Sequence, residues 1–174
     1  MLKEIFNNIL SKKKVILFPE GFVVTPEQAA KIVDFQEKID TIFKRSLRIR
    51  QIDAGSCNAC EWECTALTNP IYDIQRFGID FVASPRHADV LLVTGPVSRQ
   101  MELALKRTYS ATPEPKLVVA CGDCAKDGGI YKGSYAIANG VANVIPVDGY
   151  IPGCPPTPTA ILLGLSQIIA RRTA

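Results

Sequence analysis

An open, mostly parallel α/β sheet with helices on both faces is the fold class this chain predicts, and three observations carry that reading. Short apolar runs of strand length recur along the sequence, and residues 88–94 and 116–120 are almost continuously apolar, the pattern of strands covered on both faces. Segments of helical periodicity fall between them, as parallel connections require. The chain has 174 residues, of which 47% are hydrophobic, enough to fill one core without a second.

Taken in order, residues 1–45 read as an N-terminal helical extension and residues 46–174 as the α/β domain. In the extension, Thr25-Pro26-Glu27-Gln28 has capping-box spacing and precedes Ile32, Phe35, Ile39, Ile42 and Phe43. The domain opens with a strand over residues 47–52. Further strands are expected over 88–94, 116–120 and 144–147. Ser98 is placed to cap a helix carrying Met101, Leu103, Ala104 and Leu105, and residues 133–143 read as a weaker helix. The last helix has the clearest signals. Thr157 stands at its N-cap, Pro158 at its first position, and Ile161, Leu162, Leu165, Ile168 and Ile169 form its apolar stripe, with Arg171-Arg172 complementing the dipole at its end.

Net charge is +3 with acids and bases mixed, and the basic clusters Lys12-Lys13-Lys14 and Arg171-Arg172 read as solvated ends, so no nucleic-acid partner is expected. No run approaches the roughly 18 to 20 apolar residues of a spanning helix, which leaves a peripheral membrane link as the available kind. The first ten residues are broken by Glu4, Asn7 and Asn8 and lack a small-residue cleavage site, a start that reads as cytoplasmic.

The chemistry is concentrated in six cysteines: Cys57 and Cys60 in one Cys-x-x-Cys, Cys64, Cys121 and Cys124 in another, and Cys154 inside Gly153-Cys154-Pro155-Pro156. A disulfide framework belongs to small secreted domains without a core, and this chain has neither trait. Several thiolates that meet on one object point instead to zinc or an iron–sulfur cluster. Spacing alone selects Cys57, Cys60, Cys121 and Cys124 as a zinc site with Cys154 spare. Against that stands Cys154-Pro155, since a cysteine followed by proline recurs as an iron–sulfur ligand. Cys57 and Cys60 follow the first expected strand, Cys121 and Cys124 the third and Cys154 the fourth, which puts them at the carboxyl edge where open α/β sheets bind ligands. Gly55, Gly122, Gly128, Gly129 and Gly153 flank them and allow main-chain N–H groups to approach sulfur.

Five segments together resemble a known family: Cys57-Asn58-Ala59-Cys60-Glu61, the run from Tyr72 to Gly78, the run from Ser84 to Gly95, Cys124-Ala125-Lys126-Asp127-Gly128-Gly129, and the run from Tyr150 to Pro158. They are similar, over roughly residues 45–170, to the small, cluster-bearing subunit of membrane-bound NiFe hydrogenases of the formate-hydrogenlyase type. The same superfamily contains the cluster-carrying component next to the quinone site of respiratory complex I. The first 40 or so residues fall outside the resemblance.

The resemblance implies a flavodoxin-like, iron–sulfur α/β domain holding one 4Fe-4S cluster, with its ligands on Cys57, Cys60, Cys124 and Cys154. It leaves Cys121 and Cys64 outside the ligand set, Cys64 as a small apolar filler. Two residues separate Cys57 from Cys60, where the complex I branch has adjacent cysteines, so the pattern leans to the hydrogenase side. The implied role is one-electron transfer to or from a hydrogenase-like large subunit, alongside other iron–sulfur subunits and membrane subunits, on the cytoplasmic side of the membrane. No complete active site is expected on this chain, and Glu61, Trp62, Arg86 and His87 are expected near the cluster at the partner interface. The alternatives are a quinone-linked, complex I-like subunit and a structural zinc module.

Overall fold

The computed structural model describes residues 45–172, so the expected helical extension and its capping box at Thr25 lie outside the described residues. Five strands form one sheet: β1 (Leu47–Asp53), β2 (Ile79–Phe81), β3 (Val90–Thr94), β4 (Leu117–Cys121) and β5 (Gly149–Ile151). Their order is β2-β1-β3-β4-β5 and every neighbouring pair is parallel. The direction of winding therefore reverses between β1 and β3, the switch point outside which flavodoxin-like sheets place their ligands. Register sharpens this edge. Asp53 is level with Thr94, Thr94 with Cys121 and Cys121 with Ile151, so four strands end on one row.

Four α-helices complete the described residues: α1 (Ala59–Ala66), α2 (Glu102–Ala111), α3 (Asp123–Asp127) and α4 (Pro158–Arg172). Alternation along the strands divides the apolar side chains between two cores. Leu47, Ile49, Val90, Leu92, Leu117, Val119 and Cys121 face Cys64, Leu67 and the stripe Ile161, Leu162, Leu165, Ile168 and Ile169. On the other face, Ile52, Leu91, Val93, Val118 and Ala120 meet Leu105, Ala125, Val141 and Ile145. Helices thus cover both faces, as expected. The N-cap expected at Thr157 also holds, because its Oγ1 accepts the Ala160 N–H at 3.3 Å.

Other elements differ from expectation. The fourth expected strand, over 144–147, is not a strand: Val144, Ile145 and Val147 pack into the second core from an irregular segment, and β5 forms later. Asp148 explains the shift, since its carboxylate accepts the Val118 N–H at 2.7 Å while its own N–H bonds Val118 O at 2.8 Å. Residues 133–143 contain only a single 3-10 turn, Val141–Asn143. Gly140, at φ 112°, ends any helix there, and a Cβ on it would come within 2.5 Å of Lys126 O. Near α2, Ser98 Oγ accepts the Met101 N–H at 3.3 Å and Ser98 O the Glu102 N–H at 3.1 Å, which caps the turn leading into the helix. Of its expected apolar face only Leu105 is buried, and Leu103 is exposed.

Candidate functional site

The carboxyl row of the sheet carries the loops that hold the cysteines. After β1, Asp53 Oδ1 accepts the N–H groups of Gly55 and Ser56, both at 2.8 Å, and turns the chain sharply. Asn58 follows in the left-handed region at φ 70° and α1 begins at Ala59, which leaves Cys57 exposed and Cys60 nearly buried. The loop is tied to the next strand by Ala54 N–H to Thr94 O at 2.9 Å and Ser98 N–H to Ala54 O at 2.8 Å.

After β4 the chain passes through Gly122 into α3, which carries Cys124, half-exposed. Three hydrogen bonds join this loop to the one after β5: Gly122 N–H to Ile151 O at 2.8 Å, Asp123 N–H to Gly153 O at 2.9 Å, and Gly153 N–H to Asp123 Oδ1 at 3.0 Å. They bring exposed Cys154 alongside Cys124. Gly122 is required twice over. Its φ is +91°, and a Cβ there would lie 2.7 Å from Cys60 Sγ. Gly129, at φ +49°, leaves comparable room for Cys124 Sγ, which a Cβ would approach to 2.9 Å.

The electrostatics show which thiols share a space. Burial pushes the Cys124 thiol above its ordinary value, and the thiols of Cys154, Cys57 and Cys60 add to the effect, while the Ile130 N–H bonded to its sulfur opposes it. Cys154, Cys57 and Cys60 are therefore all within electrostatic reach of Cys124. Cys60 is held below the usual thiol range, first by a hydrogen bond from Cys121, against burial and the charges of Glu61 and Asp123. Cys121 is pushed far up by that bond, by a second with Cys64 and by burial. Cys121 and Cys64 belong to the core beneath the rim, at 0% and 1% exposure.

Arg86 and His87 are not at this edge. Both are exposed in the 3-10 turn Pro85–His87, which precedes β3 and so lies at the amino end of the sheet, opposite the cysteines. Trp62 and Glu61 do belong to the rim, through α1, and Trp62 is 66% exposed. Apolar side chains that the motifs alone do not single out follow Cys124: Ile130 at 78% exposure, Tyr131 and Tyr135. Their signal was available as bulky residues in a glycine-rich stretch that cannot be helical.

Residues 57–168 match the model of the family described as NADH ubiquinone oxidoreductase, 20 Kd subunit. The chain belongs to that family. Among its relatives are formate hydrogenlyase subunit 7 of Escherichia coli, 39% identical over 94% of this chain and 62% of that protein, and the probable membrane-bound hydrogenase subunit mbhJ of Pyrococcus furiosus, 46% identical over 70% of this chain and 72% of that one. The first match covers 163 residues, a span that reaches into the first 44 and corrects the expectation that the resemblance stops near residue 45. Conversely, the chain spans about 62% of the length of that relative. A chain of the membrane-bound sulfane sulfur reductase, an archaeal respiratory membrane complex, is similar in structure as well, with a TM-score of 0.66, 36% identity, and coverage of 76% of this chain and 73% of that chain. No helix among the described residues is long and apolar enough to cross a membrane. Members of the 20 Kd subunit family serve oxidoreductase complexes, and an electron-transfer role is the one this membership supports.

Proposed function

We propose that this chain is the electron-transfer subunit of a membrane-associated hydrogenase complex, with Cys57, Cys60, Cys124 and Cys154 as the ligands of one 4Fe-4S cluster. When bound, the cluster supplies one-electron transfer. The observation that carries the reading is the gathering of these four thiols on one sheet edge, Cys124 with the other three around it, in a chain of this family. The chain's own residues do three things there. Asp53 shapes the turn before Cys57 and Asp123 ties the β4 loop to the β5 loop, Gly122 and Gly129 let backbone close over the sulfurs, and the N–H of Ile130 stabilises negative charge on the sulfur of Cys124.

One-electron transfer needs a partner that supplies or receives the electron. We place a hydrogenase-like large subunit against the rim, in contact with Trp62 and the exposed Ile130 and Tyr131, with further iron–sulfur and membrane subunits beyond, on the cytoplasmic face of the membrane. The structural likeness to a sulfane sulfur reductase chain favours a second reading, in which the same electron-transfer unit serves a respiratory partner of different chemistry, the quinone-linked kind included. Both are tested together. A tagged chain isolated from gently solubilised cells should bring a large subunit and membrane subunits with it, and those preparations should evolve or consume hydrogen. Companions without hydrogen activity favour the second reading, and a cluster-loaded monomer with no companion overturns both. Anaerobic protein should contain about four irons and four sulfides per chain; stoichiometric zinc without iron would sink the cluster assignment.

A further inference from the structure

One part-buried polar arrangement at the rim is not used by the thiols themselves. Glu61, next to Cys60 on the first turn of α1, accepts two hydroxyl hydrogen bonds. Ser56 Oγ donates to its Oε2 at 2.6 Å, and Thr94 Oγ1 donates to its Oε1, with Ile52 O at 3.2 Å as that hydroxyl's second acceptor. The two donors come from different elements. Ser56 directly precedes Cys57, and its Oγ also accepts the Asn58 N–H at 3.0 Å. Thr94 is the last residue of β3 and is 0% exposed. A glutamate at the start of a helix can serve the dipole from solvent with neither bond. Here the carboxylate bridges the cysteine loop to the buried end of the neighbouring strand. Gly95 reinforces the bridge from beneath, since a Cβ at its φ of +83° would fall 2.7 Å from Ser56 N. The Glu61 bonds thus add to the ties that Asp53 and Ala54 already make in this loop.

We propose that Glu61 is a positioning residue: it fixes the segment carrying Cys57 and Cys60 against β3 and holds a negative charge beside the Cys60 sulfur, which lowers the potential of the redox group these thiols carry. The inference rests on the proposed cluster. A carboxylate close to a cluster disfavours the added electron, because the Coulomb term acts in a partly desolvated site.

The test uses the full chain reconstituted anaerobically, as wild type, E61Q, E61A and S56A. Its readouts are the reduced-state electron paramagnetic resonance spectrum, the midpoint potential and the rate at which a chelator removes iron. Glutamine can accept from Ser56 and donate to Thr94, so E61Q should keep the wild-type spectrum and iron-release rate while its potential rises. E61A should show the same rise together with an altered spectrum and several-fold faster iron release. S56A keeps the charge and cuts one tie, so release should quicken with the potential near wild type. An E61A chain that matches wild type in spectrum and release, an E61Q chain as labile as E61A, or an unmoved potential in both Glu61 variants overturns the proposal. A wild-type chain that takes up no 4Fe-4S cluster overturns the proposed function first, before any substitution is compared.

Discussion

The two Cys-x-x-Cys segments have identical spacing and unlike surroundings. In the first, β1 ends four residues before Cys57, so both Cys57 and Cys60 stand in the loop and helix beyond the strand. In the second, β4 runs as far as Cys121, whose side chain falls into the core with Cys64 while only Cys124 reaches the rim. What differs is where the strand stops. Spacing predicts four equivalent thiols; the end of a strand decides which of them face outwards, and the loop after β5 is bonded to the Cys124 loop, which makes Cys154 our proposed fourth thiol.

The comparison breaks most visibly by removing rim sulfurs. Cys57→Ser, Cys60→Ser and Cys124→Ser should each lose the cluster or convert it to one with fewer irons, a large effect read as iron per chain after anaerobic reconstitution. Retention of full iron in any of the three would remove that residue from the set. Next in size is Gly122→Ala. Its Cβ would meet Cys60 Sγ at 2.7 Å at a φ of +91°, so iron content and stability should both fall. Gly133→Ala, at φ +82° with nothing within 4 Å, is the control: it should cost only the backbone term, about 1–2 kcal/mol in a denaturant titration, with iron content unchanged. Equal iron loss in both would show that the contact with Cys60 is immaterial.

Thiol labelling sharpens the same contrast with a smaller signal. In cluster-free chain, exposed Cys57 and Cys154 should react with an alkylating reagent first, and Cys64 and Cys121 only on unfolding, a ranking that peptide mass mapping reads directly. Early modification of Cys121 would contradict its burial. The smallest effect concerns Glu102, whose carboxyl is held below its ordinary value of 4.5 by the Lys106 ammonium at 2.7 Å. A depressed carboxyl stabilises the fold above about its unfolded value and loses that contribution as pH falls through the folded one. Glu102→Gln should therefore lower the urea midpoint slightly at pH 7 and by nothing below both values, and an equal difference at the two pH values would be inconsistent with the ion pair.

Much of this fold was legible because buried parallel strands write themselves as apolar runs. The strands at β1, β3 and β4 and the helix α4 lie within two residues of expectation for that reason. The edge strands were not legible. β2 is only Ile-Asp-Phe, held by Leu47 N–H to Gly78 O and its short pairing with β1, and β5 contains Gly149 beside a more apolar segment that the sheet rejects. At the site, the placement of cysteines beyond strand ends could be read from the chain, whereas the Ser56–Glu61–Thr94 bridge could not, because Glu61 and Thr94 are 33 residues apart and carry no local pattern. His87 misled for the converse reason. Proximity to a buried strand says nothing of which end of the strand is meant, and the parallel order puts this one at the amino end.

Whether Cys154 rather than Cys121 completes the proposed ligand set is tested by one paired measurement: the reduced-state electron paramagnetic resonance spectrum of Cys121→Ser beside that of Cys154→Ser, each reconstituted anaerobically with iron and sulfide. Cys121→Ser should give a spectrum close to wild type and Cys154→Ser a lost or converted signal. A lost signal in Cys121→Ser with a preserved one in Cys154→Ser would contradict the proposed set and return the site to the paired Cys-x-x-Cys arrangement.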